Sequence, residues 1–189
     1  MTVVPETSFL VIPKVSSERR DYVPIAWMEP PTVPSDLVFV VEGVTEPMFG
    51  LLTSAMHMAW LRHVGGRLES RYRYSAGMVF NTFPMPPVSD DELTQKLAGR
   101  AKAVLDARSA HPDTTLSALY DPDLMPADLL RAHRKLDRAV DRLYRHSGFT
   151  SERQRAEHLL LLYERNMAPL LQDRTSGRRG RRGRSSRSG

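Results

Sequence analysis

Short apolar runs separated by turn residues occupy the first 88 residues of the chain. Runs of this length, rich in β-branched and aromatic residues, predict β-strands. Four are present, at Phe9–Ile12, Tyr22–Trp27, Leu37–Val41 and Gly77–Asn81. Between the third and fourth runs, Thr45 is placed to cap a helix that extends to about His63, and Gly65-Gly66 is placed to end it.

The pattern changes to helical spacing in residues 89–173, which are rich in Leu, Ala and charged side chains. A capping box at Ser89 predicts a helix to about Ala110, and residues 115–120 predict a single turn. Pro126 opens a long helix to about Arg145, and Ser151 opens a last helix to about Met167, before Pro169. The apolar face of the long helix consists of Leu129, His133, Leu136, Val140 and Leu143.

These patterns predict an α+β fold, with a small, mainly antiparallel sheet and one helix followed by an α-helical hairpin or bundle. We divide the chain into residues 1–88, residues 89–173 and a tail of residues 174–189. The tail consists almost entirely of Arg, Gly and Ser, which bury too little apolar surface to order a chain. The third segment is therefore expected to be disordered.

The overall charge of +5 and the pI near 9.8 come from that tail. It contains seven Arg and no acid, whereas residues 1–173 hold 20 basic and 22 acidic residues, a net charge of −2. The absence of Cys excludes disulfides and thiolate chemistry, and no apolar run is long enough to cross a membrane. The first 13 residues lack the basic start of a secretory signal, so we expect a cytoplasmic protein of bacterial type.

No complete catalytic constellation is visible in the sequence. The six His are scattered without metal-ligand spacing, and neither a Gly-rich dinucleotide loop nor a phosphate-binding loop occurs. The segment Glu29-Pro30-Pro31-Thr32 lacks both the acceptor and the aromatic residue of the Asn/Asp-Pro-Pro-aromatic loop of amino-methyltransferases. We therefore assign no catalytic residue and no metal ligand.

Two segments concentrate Arg beside hydroxyl or aromatic groups. Residues 62–74 contain four Arg interleaved with Tyr72 and Tyr74, and residues 16–20 place two Ser before Arg19 and Arg20. Such groups can contact phosphate or guanine, although a solvated surface explains either segment as well. A third group of cations, Arg131, Lys135, Arg138 and Arg142, has Asp128, Asp137 and Asp141 at helical ion-pair spacing, which indicates an ordinary solvated helix face.

The run Ile12 to Pro24 resembles the target-recognition region of MmeI-like (type IIL) restriction–modification enzymes. Residues 49–60, 65–68, 72–75 and 81–84 are similar to the same region, and residues 119–126, 132–133 and 136–141 resemble the helical segment that ends those enzymes. The family combines an adenine-specific DNA N6-methyltransferase that uses S-adenosylmethionine, a target-recognition domain and a C-terminal helical part. Some members also carry a nuclease.

The resemblance covers about residues 8–170 and only the last two parts of that architecture. It implies a DNA target-recognition module whose partners are double-stranded DNA and a methyltransferase catalytic domain on a separate, upstream chain. Because the S-adenosylmethionine loop and the Asn-Pro-Pro-aromatic loop are missing, we expect this chain to bind no cofactor and to be inactive alone. A split subunit, a fragment and a nonfunctional remnant all remain open, as does a general nucleic-acid-binding or scaffold protein driven by the tail.

We expect Glu69 and Arg71 to read bases. Two residues apart on a segment expected to be extended, they would share a face, and together they complement one G·C pair. The resemblance also implicates this pair in reading one base, whereas an exposed intramolecular Glu–Arg ion pair is the alternative. Contacts to the DNA backbone are expected from the Arg and Ser side chains within or beside the family-like motifs, namely Ser17, Arg19, Arg20, Arg67 and Arg73.

Overall fold

The computed structural model describes residues 4–86 and 91–180 of the chain. The N-terminal part contains β1 (Phe9–Pro13), β2 (Val15–Ser16), β3 (Ala26–Met28), β4 (Val38–Val41), α1 (Glu46–Leu52), α2 (Ala55–Val64), β5 (Gly66–Leu68), β6 (Arg71–Arg73) and a π-helix (Ala76–Phe80). The C-terminal part contains α3 (Asp91–Ser109), α4 (Leu116–Leu119), α5 (Ala127–Tyr144) and α6 (Glu152–Gly180). This mixture of small sheets and several helices confirms the predicted α+β class.

The described strands form two antiparallel sheets rather than one. The first has the order β3-β1-β4 and the second the order β2-β6-β5. Lys14 lies between β1 and β2 and joins the sheets through its backbone, because its N–H donates to the carbonyl of Leu37 and its carbonyl accepts from Tyr74 N–H. The chain from β1 to β2 therefore fixes the hairpin β5–β6 relative to the larger sheet.

Three predicted elements in this part were wrong. The run Tyr22–Trp27 is a strand only at its end, where it enters β3 (Ala26–Met28), because Pro24 has no backbone N–H to donate to a sheet. The run at residues 77–81 belongs to the π-helix Ala76–Phe80, capped by the Ser75 hydroxyl, because a short apolar run does not distinguish a strand from a buried helical turn. The single predicted helix after Thr45 is two helices, with a break at Thr53 and Ser54. The Ser54 hydroxyl accepts from His57 N–H and caps α2, which competes with continuation of α1.

Other local predictions are confirmed. Thr45 and Ser151 accept the expected capping hydrogen bonds at α1 and α6, and the turn predicted at residues 115–120 contains α4. Gly148, which closes the turn after α5, has a φ of +68°. The predicted capping box at Ser89 lies outside the described residues.

The last helix was predicted too short. It passes Pro169 and continues to Gly180. A proline removes its own N–H donor and displaces one carbonyl, and a helix can continue beyond that point with a bend. Residues 181–189 of the expected tail lie outside the described residues.

One hydrophobic core contains side chains from both parts of the chain. Helix α1 packs against α3 and α5 at Gly50, where a Cβ atom would lie 3.1 Å from the Ala101 side chain and 3.2 Å from that of Leu136. A larger residue at position 50 would push the helices apart, since buried side chains are already close-packed. The helical part therefore forms the support on which the two small sheets are held.

Candidate nucleic-acid interface

The hairpin β5–β6 is shaped by the residues at its entry and its tip. At the entry, a Cβ on Gly65 would lie 2.4 Å from the carbonyl oxygen of Leu61, so only glycine permits this tight exit from α2. At the tip, Glu69 and Ser70 form a two-residue turn, and Glu69 has a φ of +57°. Two-residue hairpin turns need a positive φ at this position, and a non-glycine residue accepts it at a cost of about 1–2 kcal/mol.

The premise that Glu69 and Arg71 share an extended segment was wrong. Glu69 lies in the turn, whereas Arg71 is the first residue of β6, so period-two geometry does not relate their side chains. The ion pair that was the alternative is not formed either, since neither side chain has an ion-pair or hydrogen-bond partner within residues 4–86 and 91–180. Both groups are exposed to solvent.

The register of the hairpin assigns Arg71 and Arg73 to one face. Leu68 is opposite Arg71 and Gly66 is opposite Arg73, and directly opposed residues in an antiparallel pair project to the same side. Both arginines are exposed, and in the described part of the chain neither guanidinium has an internal partner. Two free cations therefore project from one side of the hairpin beside the exposed Leu68.

Arg67 lies on the opposite face with Tyr72, its partner in the register. Its guanidinium is 4.0 Å from the centre of the Tyr72 ring, and its Nη1 donates to the carbonyl of Ser70 at 3.0 Å. Tyr72 is buried. Arg67 therefore stabilises the hairpin turn from behind, separate from the face of Arg71 and Arg73.

A groove of about 520 Å³ adjoins the free face of the hairpin. It is lined by Lys14, Phe39, Gly66, Arg73, Tyr74, Ser75 and Met78. The ammonium group of Lys14 donates to the carbonyl of Asp36 and lies 5.4 Å from the centre of the Phe39 ring. Sequence patterns alone did not single out Lys14 or the exposed Met78, because only the sheet pairing brings them next to Arg73.

The Ser17–Arg20 loop follows β2 directly, but its arginines are bound within the protein. Arg19 forms an ion pair with Asp123, which raises the pKa of the guanidinium. Nη2 of Arg20 donates to the hydroxyl of Ser117 at 2.7 Å and to its carbonyl at 3.2 Å. The Ser17 hydroxyl accepts from the N–H of Arg19 at 3.3 Å. The loop therefore fastens the N-terminal part to α4 and to the segment that follows it.

A buried polar contact joins the same two parts more deeply. Asp137 on α5 accepts from the Tyr22 hydroxyl at 2.7 Å and from Ala55 N–H at 2.8 Å. Burial raises the pKa of Asp137 to about 6, although both hydrogen bonds and Arg155 favour the charged form. We call Ser17–Arg20 together with Tyr22, Ala55 and Asp137 the junction.

The two fully buried histidines are structural. His57 is 2.9 Å from the Tyr74 hydroxyl, and desolvation lowers its pKa to about 3. His133 is 2.6 Å from the Tyr120 hydroxyl and stacks on Tyr22 at 4.0 Å, and its pKa is also lowered by desolvation. Both rings are therefore neutral and engaged with tyrosines in the core, which leaves them unsuited to proton transfer with an external substrate.

Neither a metal site nor a membrane helix is present in the part of the chain that the structure describes. No group of three or more His, Asp or Glu side chains there could hold a metal ion. None of the helices there is both long and apolar enough to span a bilayer.

Two models of one protein family match adjacent parts of the chain. Residues 2–87 match the target recognition domain of MmeI, and residues 88–171 match the MmeI C-terminal domain. The chain is also 41% identical over 155 residues to DNA methyltransferase A of Bacillus subtilis (strain 168), with 82% of this chain and 17% of that protein covered.

A solved structure of the type IIL restriction-modification enzyme MmeI in complex with DNA has the same fold over this region. The TM-score is 0.83 at 42% identity, and the match covers 88% of this chain and 22% of that chain. The chain therefore spans about a fifth of the length of these relatives. These matches confirm the resemblance found in the sequence: the chain belongs to the MmeI family and consists of that family's target recognition and C-terminal domains.

Proposed function

We propose that this chain is the DNA target-recognition module of an adenine-specific DNA methyltransferase in a restriction–modification system. Its family membership supports this function, and so does the exposed pair of free arginines on the hairpin. Such a module would work in the bacterial cytoplasm on double-stranded DNA, beside a methyltransferase catalytic domain on another chain. S-adenosylmethionine would be bound by that partner, and this chain alone would neither bind the cofactor nor methylate DNA.

The free face of the β5–β6 hairpin is the observation that carries the proposal. Arg71 is exposed and has no internal partner within the described residues, so no internal bond must be broken before it donates to O6 and N7 of a guanine. Glu69, at the tip of the same hairpin, is equally exposed and can accept from N4 of a cytosine. We therefore propose that Glu69 and Arg71 read one base pair, from the turn and from the strand rather than from one strand face.

We also propose that five side chains contact the DNA backbone, namely Ser17, Arg19, Arg20, Arg67 and Arg73. They differ in how readily each could reach a phosphate. Arg73 is free and projects on the same side as Arg71, which favours a phosphate contact next to the base that is read. Arg67 would reach DNA only from the other face of the hairpin. Arg19 and Arg20 would first have to leave Asp123 and Ser117, so we rank them after Arg73.

A charge exchange on the hairpin tests the base-reading proposal. Duplexes would be selected from a randomised library by the wild-type chain and by the Glu69→Lys, Arg71→Asp double variant. We expect the preferred base to change at one position and to stay the same elsewhere. The control exchanges the charges of an exposed ion pair on α3, with Lys102→Asp and Asp106→Lys, and should leave the preference unchanged. Identical preferences at every position for the hairpin variant would refute readout by this pair.

A second test truncates one side chain and measures the change in the free energy of DNA binding. Arg71→Ala should weaken binding to the preferred duplex by about 1–3 kcal/mol, the range for one bidentate arginine–guanine contact. Binding to random duplexes should change much less, and fluorescence anisotropy at fixed salt measures both. Equal weakening on all duplexes would reassign Arg71 to phosphate contact.

A further inference from the structure

The outer surface of α5 carries four cations, Arg131, Lys135, Arg138 and Arg142. The acidic side chains expected to pair with them point elsewhere. The sequence places Asp128, Asp137 and Asp141 at ion-pair spacing from these cations. In the structure, however, Asp137 points into the junction, where it accepts from Tyr22 and Ala55.

The other two acids are also occupied. Asp141 is buried and accepts two hydrogen bonds from Arg155 on α6, at 2.8 and 2.7 Å. Asp128 is 3.1 Å from the imidazole of His111. Asp137 and Asp141 are therefore engaged inside the fold, and Asp128 is paired with His111 at the N-terminal end of α5.

Helix α3 brings two more cations to the same place. Lys96 and Arg100 face Lys135, Arg138 and Arg142 across a groove of about 220 Å³, and the remaining lining residue is Ala139. Among the described residues, none that lines the groove is acidic. None of its five cations forms an ion pair or hydrogen bond within the described residues. Each is at least partly exposed, so the charge is available to a ligand.

We propose that this groove, which we call the α3–α5 basic groove, binds the phosphate backbone of DNA independently of sequence. It would add a second DNA contact, supplied by the helical part of the chain rather than by the base-reading hairpin. Positions 135, 138 and 142 extend over about 10 Å of helix, since each residue adds 1.5 Å. One DNA strand carries a phosphate every 3.4 Å along the duplex axis, so about three phosphates fall within this length.

The lining chemistry favours a phosphate backbone over a protein surface. Protein–protein interface centres are depleted in Lys and enriched in aromatic and apolar residues, and the α3–α5 basic groove contains no aromatic side chain. Arginine forks suit phosphate oxygens, and three of the five cations here are arginines. Because residues 1–173 carry a net charge of −2, this patch is a local concentration of positive charge and not an average property of the folded body.

The test compares two triple variants of the full chain that remove the same charge. The groove variant is Arg100→Gln, Arg138→Gln, Arg142→Gln. The control variant is Lys102→Gln, Arg131→Gln, Arg153→Gln, which removes exposed cations outside the groove. Affinity for a random-sequence duplex would be measured at several salt concentrations. We expect the groove variant to reduce the slope of log affinity against log salt by about 2.7, which corresponds to three phosphate contacts.

The control variant should reduce the slope by less than one unit, and Arg100→Lys with Arg138→Lys and Arg142→Lys should restore most of it. Restoration by lysine distinguishes loss of charge from loss of folding, which circular dichroism checks independently. Equal slopes for the groove and control variants would overturn the proposal. Displacement of the duplex from the wild-type chain by polyglutamate at equal charge concentration would also overturn it, and would indicate an acidic protein partner.

Discussion

The hairpin and the junction are both rich in arginine and hydroxyl groups, yet the fold uses them in opposite ways. In the hairpin, Arg71 and Arg73 project from an exposed face without internal partners among the described residues. In the junction, Arg19 and Arg20 are bound to Asp123 and Ser117. Sequence composition therefore identifies both segments as candidate DNA contacts, whereas the side-chain partners distinguish groups free for a ligand from groups that join two parts of the fold.

We therefore expect substitutions in the hairpin and in the junction to have opposite effects. Changes in the junction should lower stability without altering sequence preference, because its side chains bind other parts of the protein and none of them is proposed to read a base. Changes at Arg71 and Arg73 in the hairpin should alter DNA binding with little loss of stability, because these exposed side chains have no internal partner among the described residues.

The largest expected effect comes from Asp137→Ala in the junction. The substitution leaves the buried Tyr22 hydroxyl and the Ala55 N–H without their acceptor, and each unsatisfied donor costs about 1–3 kcal/mol. We expect a loss of about 4 kcal/mol in the free energy of unfolding at pH 7, measured by urea denaturation. The base preference of the folded fraction should not change. A changed preference would show that the junction takes part in readout.

The same carboxyl group gives a pH-dependent effect of about 3 kcal/mol. Because its pKa in the folded protein is about 6, above the ordinary value of 3.8, the folded state holds this proton more tightly than the unfolded chain does. Its contribution to stability is therefore complete below pH 3.8 and is lost as the pH rises through 6.

The Asp137→Asn variant should lack this component, so we compare the two proteins rather than one pH profile. Their difference in unfolding free energy should change by about 2 kcal/mol between pH 4 and pH 7, in the direction of a relatively more stable variant at high pH. The comparison also removes the opposite contribution of His57, whose lowered pKa makes the protein lose stability as the pH falls below 6.5. A constant difference across this range would contradict the raised pKa.

A smaller effect is expected at the tip of the hairpin. Glu69→Gly relieves a positive φ that glycine adopts without strain, so the protein should gain about 1 kcal/mol of stability. The same change removes the proposed cytosine acceptor and should relax base preference at one position. Thermal denaturation and library selection measure the two results separately. A gain in stability with unchanged preference would limit Glu69 to a role in the turn.

The smallest effect compares one arginine from each region. Arg73→Ala should lower the slope of log affinity against log salt by about 0.9, as expected for one lost phosphate contact. Arg19→Ala should lower the slope by less than that, since its guanidinium would first have to leave Asp123. Equal changes in the two variants would mean that DNA displaces the Arg19–Asp123 pair, and the distinction between the regions would then fail at this residue.

The elements that sequence alone determined are those governed by local hydrogen bonds and by side-chain period. Thr45 and Ser151 cap helices where the sequence predicts, because a capping hydroxyl bonds backbone groups only two or three residues away. The strands β1 and β4 lie within one residue of their predicted bounds, because a short run of apolar residues is also a local signal. The family, too, was evident from short ordered motifs along the chain.

Tertiary structure decided which polar side chains remain free. Asp137 and Asp141 have the spacing of surface ion-pair partners, but burial against Tyr22 and Arg155 directs them inward and leaves the cations of the α3–α5 basic groove exposed. Glu69 entered the turn because pairing of β5 with β6 fixed the register of the hairpin. Both outcomes depend on contacts between residues that are distant in sequence or paired across strands. The energies of these contacts outweigh local preference, and such contacts leave no periodic signal in the sequence.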